Sequence, residues 1–361
     1  MGKNGKIGVG ILGTGNWTMY GHVPVLKTLE DTFERVAILD PSQERADQAA
    51  AENGFARGYS DIDELLADPD VDIVFVNTPG PFHYAHAKKV IEAGKDVYCE
   101  WPLGTTVEEA EDLLNSADAK GLRTIVGMQR SVAPAARYMH DLIADGYVGE
   151  INAVSLRVGI DAFGIPTYDR WKWYTAPDSF TNPVTIYAAH FVELLQSIVG
   201  PLASVDYAAA RRNFDEFDVV DTGAKVKNTH PTECVVVGRL ANGALVNYQV
   251  VGGQQNITGV SLEVSGSDGA LRMENVRGFQ NVEDNRLSGC KGEEKDFHAI
   301  EVPEEYRFLG DSGLDNSAQD LGYNYMAYAE FKRTGKEGGM TFVHGVDAAR
   351  FVARVLEGFE G

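Results

Sequence analysis

An apolar run, Ile7 to Leu12, leads into Gly13-Thr14-Gly15-Asn16-Trp17-Thr18, and a second apolar run, Val36 to Leu39, ends in Asp40. This order predicts a strand, a glycine turn, a helix and a second strand with an acid at its tip, the opening of a doubly wound parallel sheet. Gly13 permits a tight turn, and Gly15 lets the backbone come close to a pyrophosphate. The helix start at Asn16 and Trp17 would aim its N–H groups and positive dipole end at phosphates. Asp40, about 25 residues beyond Gly15, is placed to accept hydrogen bonds from ribose hydroxyls and to repel a 2′-phosphate, which favours NAD over NADP. Arg45 is a nearby positive charge that could still admit NADP. Thr18 stands where the fingerprint has Gly or Ala, which predicts looser packing of the helix on its strand. An ordinary glycine-rich turn is the bland alternative.

Strand and helix patterns keep alternating through the first third. Helices are expected at 46–53, 61–66, 83–93 and 107–119, and strands at 71–77, 97–100 and 122–127. Val71–Asn77 is almost continuously apolar, as in a parallel strand buried on both faces. From about residue 129 the pattern changes to one amphipathic helix, 133–145, and then long alternating strands. Asn242-Gly243 between 233–240 and 244–251 is a hairpin signal. The expected fold is α/β: a Rossmann domain at 1–128 binding NAD(P), and an α+β domain at 129–361 with a large, mostly antiparallel sheet. The second domain would hold substrate and, through one sheet face, associate into a homo-oligomer. Residues 281–316 read as surface loops, and 320–334 and 346–358 as terminal helices packing back on the body.

The 361 residues carry a net charge of −21, which disfavours direct contact with nucleic acid. No apolar run is long enough to cross a membrane. Met1 to Lys6 leads into the first strand without a signal-peptide core. The three cysteines are widely spaced, and a cytoplasmic protein with reduced thiols is expected. Asn256-Ile257-Thr258 matches a glycosylation acceptor by chance on this reading.

The Gly13-Thr14-Gly15 turn, Asn77-Thr78-Pro79, His83, the segment Ala93-Gly94-Lys95-Asp96-Val97-Tyr98-Cys99-Glu100-Trp101-Pro102 and the helix holding His190 together resemble the glucose–fructose oxidoreductase / inositol dehydrogenase (Gfo/Idh/MocA) family over nearly the whole chain. The resemblance implies that Asn77, Thr78, Pro79, His83, Glu100, Trp101 and Pro102 border the cofactor. The family's Glu-Lys-Pro reads Glu100-Trp101-Pro102 here, so a Trp replaces the lysine that sits near the nicotinamide. The family's Asp-x-Gly-x-His-x-x-Asp is represented by Ile186 to Glu193, with His190 kept. Trp101, Asn16-Trp17 and Gly21-His22-Val23-Pro24 resemble the branch of the fungal galactose-pathway repressor and its dehydrogenase-like relatives.

Oxidising a sugar hydroxyl needs a base within hydrogen-bond reach of the O–H. His190 is the best candidate, with Tyr187 weaker; a structural histidine is the alternative. Spacing of three places Tyr187, His190 and Glu193 on one helical face, where Glu193, a candidate substrate contact, would orient His190 or simply be solvated. Asp169-Arg170-Trp171-Lys172-Trp173-Tyr174 offers aromatic faces for sugar C–H surfaces, chiefly Trp171 and Trp173, and a cation, Lys172, able to replace the missing charge. A loop stapled down by aromatics is the alternative. Arg130 opens the second domain and is a candidate substrate contact, with interdomain surface packing the alternative. His83 and His86 fit no metal-ligand spacing, and no metal is expected. Two functions follow: an NAD(P)-dependent oxidoreductase acting on a sugar- or cyclitol-like compound, or a catalytically silent dinucleotide sensor acting through a protein partner.

Overall fold

The computed structural model describes residues 5–160, 163–164, 166–253, 259–276 and 285–359. The Asn256-Ile257-Thr258 triplet lies outside them. The chain divides into two compact units: Met1–Gln129 with Leu309–Asp347, and Arg130–Phe308 with Ala348–Gly361.

The first unit is built on a six-stranded parallel sheet of β1 (Ile7–Leu12), β2 (Phe33–Leu39), β3 (Arg57–Tyr59), β4 (Ile73–Val76), β5 (Asp96–Glu100) and β6 (Thr124–Gly127), in the order β3-β2-β1-β4-β5-β6. Every residue of β1 and β4 is buried, the reason both read as unbroken apolar runs. Around the sheet lie α1 (Val23–Thr28), α2 (Gln43–Asn53), α3 (Ile62–Ala67), α4 (His83–Glu92) and α5 (Val107–Ala119). The Ser42, Asp61 and Thr106 side chains cap α2, α3 and α5, and Gly54 ends α2 at φ 72°. The expected helix at 46–53 therefore starts three residues earlier, where its cap sits.

Leu309–Asp347 corrects the expected division at residue 128. Two further helices, α8 (Asn316–Thr334) and α9 (Phe342–Leu356), close the described part of the chain. On α8, Ala318, Leu321, Tyr325 and Tyr328 recur at helical spacing and join Phe33, Ile73, Phe75 and Tyr98 in the core of the first unit. Asp96 ties α8 to the sheet, accepting from the Tyr328 hydroxyl and the Lys332 ammonium at 2.8 Å each.

The second unit carries β7 (Ile151–Ile160), β8 (Leu202–Arg211), β11 (Glu233–Leu240), β12 (Leu245–Gly252), β13 (Gly259–Gly266), β14 (Gly269–Asn275), β15 (Arg286–Lys291) and β16 (His298–Ile300) in one sheet. Its order is β16-β15-β14-β13-β7-β12-β11-β8, antiparallel except where β12 runs parallel to β7. A separate ribbon pairs β9 (Glu216–Val219) with β10 (Ala224–Lys227). The Asn242-Gly243 turn joins β11 to β12, with Gly243 at φ 86°. Along β7 and β12, Val154, Leu156, Val158, Val246, Tyr248 and Val250 are buried while Ser155, Arg157, Asn247 and Gln249 alternate outward. The helices of this unit are α6 (Pro134–Ala144), α7 (Ala189–Val199) and the end of α9 (Phe342–Leu356). The expectation of loops at 281–316 is corrected by β15 and β16. Only Leu287 and Gly289 of β15 face inward, so its alternation carries almost no apolar signal. Among the described residues no helix is long and apolar enough to cross a membrane.

Candidate functional site

β1 delivers Gly13 at φ 105°, where a Cβ would stand 2.8 Å from the Asn77 carbonyl oxygen. Its N–H donates to the Leu39 carbonyl at 3.0 Å. No residue but glycine fits both the dihedral and the space. At Gly15 an ideal Cβ meets no heavy atom within 4 Å, and Gly15 and Asn16 are exposed, so the turn presents bare backbone.

Asp40 is buried at the end of β2. The Thr14 hydroxyl donates to its Oδ2. The Ser42 N–H and the Arg45 Nε both reach its Oδ1 at 2.9 Å. Burial opposes charging of Asp40, but the hydrogen bonds from Arg45, Thr14 and Ser42 outweigh it and hold the carboxyl below the usual carboxylate range. The acid predicted from sequence is thus a fixed anion beside the glycine turn.

Thr18 is only 1% exposed, so the expected loosening of the first helix is not observed. The departure takes another form: Thr18–His22 is a π-helical turn ahead of α1. Asn77, after β4, donates from Nδ2 to the Thr18 hydroxyl at 3.4 Å, while its buried Oδ1 meets no donor among the described residues. The Thr78 hydroxyl pairs with His86 Nδ1 at 3.0 Å, and Pro79 is exposed.

His83 and Glu100, expected to border the cofactor, both have polar partners within the first unit. His83 is buried, with Nε2 2.5 Å from the Thr78 carbonyl and Nδ1 2.6 Å from that of Pro102. Burial pushes its pKa down against the pull of those carbonyls. Both ring nitrogens face backbone carbonyls, and the one that carries the hydrogen donates, tying His83 to the backbone after β4 and β5. Glu100, the last residue of β5, accepts from Tyr98 at 2.6 Å and from His22 Nε2 at 2.9 Å, and is also hydrogen-bonded to Trp17. Burial resists its ionisation, but His22, Tyr98 and Trp17 more than compensate and lower its pKa. Trp101, 6% exposed, follows it.

In the second unit, His190 lies in the first turn of α7 and is 6% exposed. The turn before it, Val184–Ala188, is π-helical, which corrects the expected single face for Tyr187, His190 and Glu193. The α-helical period holds from His190 to Glu193 but not back to Tyr187. The buried Tyr248 hydroxyl donates to the carbonyls of Tyr187 and Ala188 at 3.1 Å each. The Tyr187 ring lies tilted against Phe163 (centroids 5.7 Å), which meets Tyr174 edge-on at 5.3 Å. Glu193 is buried and accepts from Gln196 Nε2 at 2.8 Å; Gln196 in turn accepts the Leu202 N–H. Arg130 is 2% exposed.

Lys172 is exposed and paired with Asp169 at 3.4 Å. Trp171 and Trp173 are 38% and 47% exposed, and the Arg170 guanidinium lies over the Trp171 ring, 4.5 Å from its centroid. Sequence reasoning missed His22, Tyr98, Tyr248 and Tyr325. Gly21-His22 was conspicuous as a motif, but only folding shows what the ring holds.

The NAD-binding Rossmann-fold domain of the GFO_IDH_MocA oxidoreductase family matches residues 7–128, and the Gal80p C-terminal domain matches residues 134–275. Residues 7–128 thus carry the NAD-binding domain of this oxidoreductase family, followed by a stretch similar to the second domain of Gal80p. The chain is 25% identical over 367 residues to the scyllo-inositol 2-dehydrogenase (NADP(+)) IolW of Bacillus subtilis, covering 98% of this chain and 94% of that protein. A super-repressor mutant of Gal80p from Saccharomyces cerevisiae has the same fold, with TM-score 0.86 and 18% identity over 98% of this chain and 95% of the other. So does levoglucosan dehydrogenase in complex with NADH and levoglucosan, with TM-score 0.82 and 20% identity over 98% and 97%.

The residues present fit the dinucleotide. Gly13 sits where any side chain would collide, Gly15 opens the backbone, Asp40 is a held acceptor, and Asn77 Oδ1 is an unanswered one.

Proposed function

We propose that the chain is an NAD(H)-linked oxidoreductase acting on a hydroxyl or carbonyl of a sugar- or cyclitol-like compound. The observation that carries the reading is the Asp40 carboxylate, held by Thr14, Ser42 and Arg45 beside a turn in which Gly13 tolerates no side chain. The bare backbone at Gly15 and Asn16 takes the pyrophosphate, and Asp40 accepts the ribose hydroxyls. Asn77, Thr78, Pro79, Trp101 and Pro102 line the path of the second ribose and the nicotinamide. When bound, NAD supplies the hydride acceptor and NADH the donor. His190 exchanges the proton of the reacting hydroxyl, with the Tyr187 hydroxyl or the Lys172 ammonium assisting. Trp171 and Trp173 offer faces to sugar C–H surfaces, Arg130 a cation, and Glu193 orients its end of α7. The similarity to an inositol dehydrogenase and to levoglucosan dehydrogenase supports a sugar- or cyclitol-like substrate class.

A second reading, a dinucleotide-binding regulator without turnover, is favoured by the Gal80p-type match at 134–275 and by Trp101 where the family pattern has a lysine. The discriminating experiment follows reduced-nicotinamide absorbance across sugars, sugar acids and inositols. The enzyme reading expects turnover that His190→Ala lowers by about 100-fold or more, with NADH affinity unchanged. Tight NADH binding without turnover on any compound would favour the regulator.

A further inference from the structure

A buried polar chain in the first unit joins parts of the sequence some three hundred residues apart. The Tyr325 hydroxyl, on α8, stands 2.5 Å from His22 Nδ1. His22 Nε2 stands 2.9 Å from Glu100 Oε1, which also accepts the Tyr98 hydroxyl at 2.6 Å. A carboxylate only accepts, so His22 Nε2 carries the hydrogen that it donates to Glu100, while Nδ1 pairs with the Tyr325 hydroxyl. Burial holds the Tyr98 and Tyr325 hydroxyls protonated, their pKa values well above the ordinary one, which suits both as donors. His22 is fully buried, and its ring packs edge-on against Trp17, Phe75 and Tyr98.

The chain ends on Trp17, the residue that closes the glycine turn. Its indole is hydrogen-bonded to Glu100. Its ring covers Gly21, where a Cβ would come within 2.8 Å of it, and meets Tyr20 edge-on at 4.9 Å. Gly127 makes room on the far side, since a Cβ there would stand 2.6 Å from Glu100 Oε2. Gly15 and Asn16, just before Trp17, are exposed. The turn therefore takes its position from the indole, and the indole from the carboxylate.

We propose that Glu100 is a positioning residue for dinucleotide binding. It acts through the Trp17 indole N–H to fix the Gly13–Trp17 turn, and is itself oriented by His22 and Tyr325. The proposal rests on the dinucleotide reading of that turn. It assigns to Glu100 no contact with the cofactor, and it makes α8 part of the cofactor site although α8 supplies no residue to the turn.

The test is a double-mutant cycle on the full chain, read as NADH affinity by nicotinamide fluorescence alongside the thermal midpoint of the unliganded protein. Trp17→Phe keeps the ring and removes the N–H; it should raise the NADH Kd about tenfold, the usual scale for a hydrogen bond to a charged group. Glu100→Gln should weaken binding similarly alone, and add less than twofold in the Trp17→Phe background. Tyr325→Phe, remote from the turn, should weaken NADH binding about threefold and serves if Glu100→Gln does not fold. Losses that multiply across the cycle, or a Trp17→Phe Kd within twofold of wild type, would overturn the positioning role while leaving dinucleotide binding intact. Failure of the unmutated chain to bind NADH or NADPH would overturn both.

Discussion

Asp40 is held from three directions, and one of its partners is a cation with a largely exposed side chain. Arg45 Nη2 stands 2.7 Å from Asp40 Oδ1, and its side chain is 65% exposed. Removing the acid leaves that guanidinium free at the place where a 2′-phosphate would lie. Asp40→Ala should therefore lower the ratio of NADPH to NADH dissociation constants by tenfold or more, measured by titration of both cofactors. The pH dependence has a definite sign. Because the folded pKa of Asp40 lies below its ordinary value, its pairing stabilises the fold above the ordinary carboxylate range and is lost as pH falls through the folded value. The difference in thermal midpoint between wild type and Asp40→Ala should shrink on acidification. Gly13, Thr14 and Asp40 were legible in sequence because a tight turn and an acid at a strand end are local properties. His83 and Glu100 were not. Their motif was recognisable, but the direction each side chain takes depends on partners from other elements: two carbonyls for His83, and His22 with Trp17 for Glu100.

At the level of elements, two π-helical turns stand out among the described residues, Thr18–His22 beside the glycine turn and Val184–Ala188 before His190. Such turns leave carbonyls out of the regular ladder, and in the second the Tyr248 hydroxyl of β12 takes up two of them. Tyr248→Phe removes the donor and little else. It should cost about 1–3 kcal/mol of stability by denaturant unfolding, the scale for stranding buried acceptors. It should also reduce turnover more than NADH affinity, because the displaced turn carries Tyr187 and precedes His190. Neither π-turn was readable from the apolar pattern, which assumes a fixed helical period. The β1 and β4 runs and the Asn242-Gly243 hairpin were readable, since burial on both faces and a two-residue turn leave direct marks. β15 left none, because a glycine fills one of its two inward positions.

Sequence order and spatial order part company at the scale of the whole chain. The α/β and α+β parts were both foreseeable from strand and helix periodicity, but Leu309–Asp347 returns to the first unit after the entire second sheet. The helical spacing of Ala318, Leu321, Tyr325 and Tyr328 announced a buried face without saying which core it would enter. That return brings Tyr325 to His22 and makes the dinucleotide-binding unit depend on a helix near the end of the chain. The central claim, that this unit holds NAD(H) on the Gly13–Trp17 turn, is tested most directly by titrating the full chain with NADH and following quenching of protein fluorescence. The account predicts saturable binding that Gly13→Ala abolishes in a chain still folded by circular dichroism. Absence of saturable quenching by NADH and NADPH, or a folded Gly13→Ala chain that binds as tightly as wild type, would contradict it.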